Sequence, residues 1–121
     1  MVLILGGLGA GKRTYAKTLG FTDAQMSNDP RADAPVLVNL EAAVKADPAS
    51  TEALLPLLLH KKLVLCREVG SGVIPMDPGE REWREATGRL CCALATRADA
   101  VVRVICGIPT VLKGELPCIS D

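Results

Sequence analysis

Short continuous apolar runs alternate along the chain with stretches of helical spacing. Residues 1–5 (MVLIL), 35–39 (PVLVN), 62–67 (KLVLCR) and 100–106 (AVVRVIC) are compact runs of the kind that parallel sheets bury on both faces. Helical stretches lie between them: residues 13–19, closed by Gly20; residues 41–46, stopped by Asp47-Pro48; and residues 51–60, whose start Pro56 blurs. A fourth, residues 79–97, carries the fullest signature. Asp77 stands at the N-cap position, Pro78 suits the first helical place and Glu80 comes three residues after the cap. From there Trp83, Thr87, Leu90 and Leu94 recur on one face, while Glu82, Arg84, Glu85 and Arg89 fall off it. Residues 22–35 and 68–77 read as loops, and the stretch beyond Cys106 reads as tail.

Strand, helix, strand, helix with buried strands predicts an α/β fold, a three-layer domain with a mostly parallel sheet flanked by helices. Residues 1–121 are expected to form one such domain, with function at the carboxyl ends of the strands.

Charge and composition narrow the partners. Fourteen basic residues balance fourteen acidic ones, and the only aromatics are Tyr15, Phe21 and Trp83. A chain with neither a basic excess nor stacking platforms is not built to hold nucleic acid. The apolar runs at 2–5 and 54–59 are too short for a leader or a membrane span, so no membrane partner is expected. Five cysteines, Cys66, Cys91, Cys92, Cys106 and Cys118, show no C-x-x-C spacing. They read as small buried hydrophobes in a reducing cytoplasm rather than as zinc ligands or disulfides.

The first apolar run ends in Gly6-Gly7-Leu8-Gly9-Ala10-Gly11-Lys12-Arg13-Thr14. Glycines let the backbone curl so that successive N–H groups face one anion, and the helix after the loop adds its positive end. Lys12 would reach the β- and γ-phosphates of a nucleotide, so these nine residues form the predicted P-loop, the first unit of a P-loop NTPase-like fold. The G-x-x-x-x-G-K frame is complete, but the next position, where a hydroxyl would hold Mg²⁺, is Arg13. Thr14 comes one residue late, turned by about 100° on a helix. A dinucleotide fingerprint read from Gly7 is the weaker rival, because it places Lys12 where the last glycine belongs.

Further on, Glu68-Val69-Gly70-Ser71-Gly72-Val73-Ile74-Pro75 is followed by Arg81, then by Trp83-Arg84-Glu85-Ala86-Thr87-Gly88-Arg89, and later by Gly107-Ile108-Pro109 and Lys113. With the N-terminal glycine loop, this set resembles the bifunctional adenosylcobinamide kinase / adenosylcobinamide-phosphate guanylyltransferase family of cobalamin assembly. The resemblance covers residues 1–15 and about 35–113. It implies a P-loop protein, often a trimer and so a homo-oligomer. Such a protein uses ATP or GTP, with Mg²⁺, to phosphorylate the adenosylcobinamide hydroxyl, and then transfers GMP through a guanylylated histidine. It places the nucleotide phosphates on the loop and residues 68–75 in the same cleft, and it suggests Lys12 and Glu68 as catalytic residues, Glu68 as general base or ligand of a metal-bound water.

Departures from the family pattern are equally specific. The family's acidic base-binding segment and GMP-accepting histidine would fall between the first helix and Pro35, where this chain has only residues 21–34 and no histidine. His60, the only histidine, reads as a surface or satisfied residue. The family's carboxylate after the second strand is matched by Asn39, counted here with the nucleotide-binding residues. Asn39 carries no charge for Mg²⁺, although Asp29 and Glu41 stand nearby. No residue is therefore assigned as a metal ligand. Cys91-Cys92 replaces the family's Asn-Gln pair. Together these features predict a kinase-like nucleotide-binding protein with the guanylyltransferase step lost, or a non-catalytic nucleotide- or corrinoid-binding module.

Overall fold

The computed structural model describes residues 1–69 and 77–116. Its framework is a six-stranded sheet in the order β2-β3-β4-β1-β5-β6. The central strands are β1 (Val2–Gly6), β4 (Leu63–Arg67) and β5 (Ala100–Ile105), with β1 parallel to both neighbours. On one side β3 (Val36–Leu37) pairs in parallel with β4, and β2 (Met26–Ser27) with β3. On the other side β6 (Ile108–Lys113) closes the sheet as its one antiparallel strand.

Side-chain alternation along the strands feeds two cores. Leu3, Leu37, Val64, Cys66 and Val101 pack under α2 (Leu40–Ala46), α3 (Leu54–Leu59) and α4 (Pro78–Arg97), meeting Leu40, Val44, Leu58, Ala86 and Leu94. On the opposite face Ile4, Val36, Leu65, Val102 and Val104 pack under α1 (Lys12–Thr18) and the turn after it, meeting Tyr15, Ala16 and Leu19. Helices therefore cover both faces of a mostly parallel sheet, as the alternation predicts. The long helix matches its sequence signature closely: the Asp77 carboxylate accepts from Gly79 N–H at 3.0 Å, and Ala86, Thr87, Leu90 and Leu94 are its buried stripe.

Three local expectations need correction. Residues 22–35 are more than loop, because a 3₁₀ turn (Asp23–Gln25) and the two-residue β2 lie within them. A strand of two residues, Met26-Ser27, is too short to show a hydrophobic period, and its pairing with β3 alone defines it. Pro56 does not delay the helix around it. A 3₁₀ segment (Pro48–Ala53) leads directly into α3, and Pro56 falls in the first turn, where a missing N–H costs nothing. Finally, the stretch after Cys106 is not tail but β6. Cys106 and Gly107 adopt φ of 50° and 77°, the two positive values that a tight hairpin turn needs. A cysteine in that place is an unusual turn residue, and Pro109 is tolerated because β6 is an edge strand. No described helix is long and apolar enough to cross a membrane. Gly70 to Pro75 of the glycine-rich signature, and Cys118, lie outside the described residues.

Candidate functional site

The 6–14 loop forms where β1 runs out between β4 and β5. Gly6 ends the strand with its backbone so close to β5 that a Cβ there would lie 2.8 Å from the Val104 carbonyl oxygen. The chain then turns, with Ala10 N–H donating to the Gly7 carbonyl at 3.2 Å, and re-enters a helix through Gly11. Gly11 has φ of 98°, and a Cβ on it would sit 3.2 Å from Gly107 Cα. Both the dihedral and the contact require glycine. The β5–β6 turn braces the loop from outside, since Gly107 N–H donates to the Ala10 carbonyl at 2.8 Å. The Gly-Ile-Pro element thus sits against the predicted phosphate loop.

Lys12, the first residue of α1, folds back over the loop, and its ammonium donates to the carbonyls of Gly6 at 3.0 Å and Gly7 at 2.9 Å. Partial burial lowers its pKa from the ordinary lysine value, and Arg67 pushes the same way, while Glu41 and Glu68 oppose the shift. The ammonium is therefore a charge at the end of β1, held on carbonyls that an anion can replace as its acceptor. Leu8 is largely exposed at the crest of the loop. Arg13 points outward, its guanidinium 3.9 Å from the Asp23 carboxylate, and Thr14 is exposed on α1.

Around this loop the tertiary fold assembles charged groups that are distant in sequence. Glu41, in the first turn of α2, is buried, and its Oε1 accepts from Arg67 N–H at 2.6 Å. Trp83 from α4 fixes that turn by donating from Nε1 to the Glu41 carbonyl at 2.7 Å, and the Lys45 ammonium lies 4.9 Å from the Trp83 ring centroid. Arg67 stands beside Gly6 in the sheet register, and Glu68 N–H donates to the Gly6 carbonyl at 2.9 Å. Glu68 itself is clasped by Arg103, whose Nε and NH2 donate to its two carboxylate oxygens at 2.6 and 3.0 Å. Glu68 raises the Arg103 pKa further.

Asn39 occupies the N-cap of α2 in a left-handed conformation, φ 56°, and its Nδ2 donates to Asn28 Oδ1 at 2.9 Å. It lies at the carboxyl end of β3 with its amide engaged by a neighbouring loop. His60 is exposed at the end of α3. Of the residues singled out from the sequence, Gly6 to Lys12 and Glu68 meet at the carboxyl ends of the central strands β1 and β4, whereas the Arg13 side chain is drawn toward Asp23. Arg67 and Arg103 carry no sequence signature of their own. Glu41 stands out in the sequence only as a nearby carboxylate. Only strand register and the docking of α2 bring these three to the site.

Magnesium would need oxygen donors beside the phosphates. Arg13 and Asn39 supply neither hydroxyl nor carboxylate, Glu41 Oε1 is committed to Arg67, and Glu68 is held by Arg103. Among the described residues no group of three or more His, Cys, Asp or Glu side chains is arranged to hold a metal. Among the described residues the donor set does not fit the ion.

A comparison with curated proteins finds no match. The family model described as cobinamide kinase / cobinamide phosphate guanyltransferase matches residues 32–112, from the turn before β3 into β6, so that Glu41, Arg67, Glu68 and Arg103 fall inside the match and the 6–14 loop precedes it. The match spans well over half the chain, and this protein belongs to the cobinamide kinase / cobinamide phosphate guanyltransferase family.

Proposed function

We propose that this protein binds ATP or GTP by its phosphates on residues 6–14 and works as an adenosylcobinamide kinase-like phosphotransferase in cobalamin biosynthesis, without the guanylyltransferase step. The observation that carries this reading is the Lys12 ammonium resting on the Gly6 and Gly7 carbonyls at the mouth of β1. A phosphoryl group entering the loop would draw that ammonium to itself, and backbone N–H groups of the loop would have to complete the anion site. Transfer of a γ-phosphoryl to a hydroxyl depends chiefly on positioning and charge stabilisation, which Lys12 would supply. Glu68 is the proposed acceptor of the hydroxyl proton, a role that requires it to leave Arg103. Loss of GMP transfer rests on the short 21–34 segment, which has no histidine, and on His60 being exposed at the end of α3.

A second reading, a nucleotide- or corrinoid-binding module without turnover, draws support from the same contacts. Asn39 has no charge and Glu68 is clasped by a guanidinium. Isothermal titration with ATP and GTP, with and without Mg²⁺, paired with an assay for phosphorylated adenosylcobinamide, separates the two. The kinase reading expects product that disappears in Glu68→Gln while nucleotide still binds. Binding without any product supports the module, and no binding of either nucleotide would sink the kinase and leave only the corrinoid-binding form of the module.

A further inference from the structure

The described cysteines are not equivalent. Cys92 and Cys106 are exposed, but Cys66 on β4 is fully buried and Cys91 on α4 is half-buried, and their sulfurs lie 3.7 Å apart. Both belong to the core between the sheet and α4, and Cys91 also borders a cleft of about 230 Å³ that Arg67, Glu68 and Thr87 help to line. A small oxidant therefore reaches one sulfur while the second waits behind it. We propose that Cys66 and Cys91 are the two halves of a reversible intramolecular disulfide, formed when a peroxide oxidises the Cys91 sulfur. In the neutral pair Cys91 donates to the Cys66 sulfur. Once Cys91 loses its proton the roles reverse, and donation from Cys66 holds the Cys91 pKa below, and the Cys66 pKa above, the ordinary thiol value.

The Cys91 thiolate attacks one peroxide oxygen, the O–O bond breaks, and the departing oxygen leaves as water, giving a sulfenic acid. The Cys66 sulfur then attacks the Cys91 sulfur. The S–O bond breaks, and the hydroxide leaves as water with the Cys66 proton. Two thiols and one peroxide thus become one disulfide and two waters. The bond would tie α4 to the strand position just before Arg67 and Glu68, at the base of the candidate site.

The test uses the full chain carrying Cys92→Ser, because Cys91 and Cys92 would otherwise share a tryptic peptide. After one equivalent of hydrogen peroxide, the denatured protein should lose two titratable thiols, and peptide 63–67 should appear linked to peptide 90–97. Dithiothreitol should restore both thiols. The oxidised form should also unfold at a higher midpoint, because a cross-link between residues 25 apart restricts the unfolded chain. Adding Cys91→Ser at this partly buried position should abolish the linkage and leave Cys66 reduced in a folded protein. Sulfinic acid at Cys91 with Cys66 still free, or a covalent dimer through Cys106 in place of the internal link, would overturn the proposal.

Discussion

The phosphate loop and the charged groups around it are held by different means. Residues 6–14 are shaped largely by local contacts, with two hydrogen bonds from one lysine, a turn within four residues and a positive φ at Gly11, and are braced from outside by Val104 and Gly107. Their neighbours Glu41, Arg67, Glu68 and Arg103 come from α2, from the end of β4 and from β5, and meet only through sheet register and the docking of α2. An assembly of side chains depends on every element that contributes to it, and here Glu41 and Glu68 are already engaged by Arg67 N–H and by the Arg103 guanidinium. Binding chemistry should therefore be concentrated in the loop and finer control in its surroundings.

The largest effect expected of this contrast is at Lys12. Lys12→Ala should weaken ATP or GTP binding by about a hundredfold or more, the size of one or two charge-assisted contacts at ~1.5–3 kcal/mol each. Titration calorimetry measures it, and an unchanged affinity would end the assignment of the loop. Next comes Gly11→Ala, which forces a side chain into a positive-φ position against Gly107. A loss of ~1–3 kcal/mol in denaturant unfolding is expected, with nucleotide affinity falling too.

Among the surroundings, Glu41→Gln keeps an oxygen for Arg67 N–H but removes the charge that opposes the Lys12 shift. Affinity should fall about tenfold or less, a change of up to ~1.4 kcal/mol, with little change in stability. A loss as large as that of Lys12→Ala would erase the distinction between loop and surroundings.

Titration sharpens the same point. Burial lowers the Lys12 pKa, so raising the pH should release nucleotide on the acid side of an ordinary lysine titration. Folding moves the other way: the folded chain gives up this proton more readily than the unfolded one, so the Lys12 contribution to stability grows as pH rises through the lowered value. Affinity followed by fluorescence across alkaline buffers reads the first trend, and Lys12→Ala should flatten it.

The smallest expected change is Arg103→Gln. The pair with Glu68 is solvent-exposed on the arginine side, so the unfolding midpoint should hardly move and nucleotide affinity should stay within about twofold. Any gain in turnover would show that Arg103 restrains Glu68.

Much of the architecture was legible along the chain. The continuous apolar runs marked β1, β4 and β5, and Asp77-Pro78 with the spaced Trp83, Thr87, Leu90 and Leu94 marked α4, because helix caps and burial periods are local physics. β2 and β6 were not legible. One is two polar-flanked residues given strand geometry by a neighbour, and the other hangs on a left-handed cysteine. At the site, the glycines and Lys12 could be named directly, while the Arg103 clasp on Glu68 and the burial of Glu41 could not.

By itself, the order of residues determined the α/β alternation, the glycine-lysine turn after the first strand and the absence of a hydroxyl at position 13, since each is decided within a few bonds along the backbone. Only the tertiary structure decided that Glu41 lies under Arg67, that Gly107 braces Ala10, and that Cys66 lies 3.7 Å from Cys91. These contacts join residues 25 to 97 positions apart, and no local preference encodes a distance that sheet register and helix docking must set.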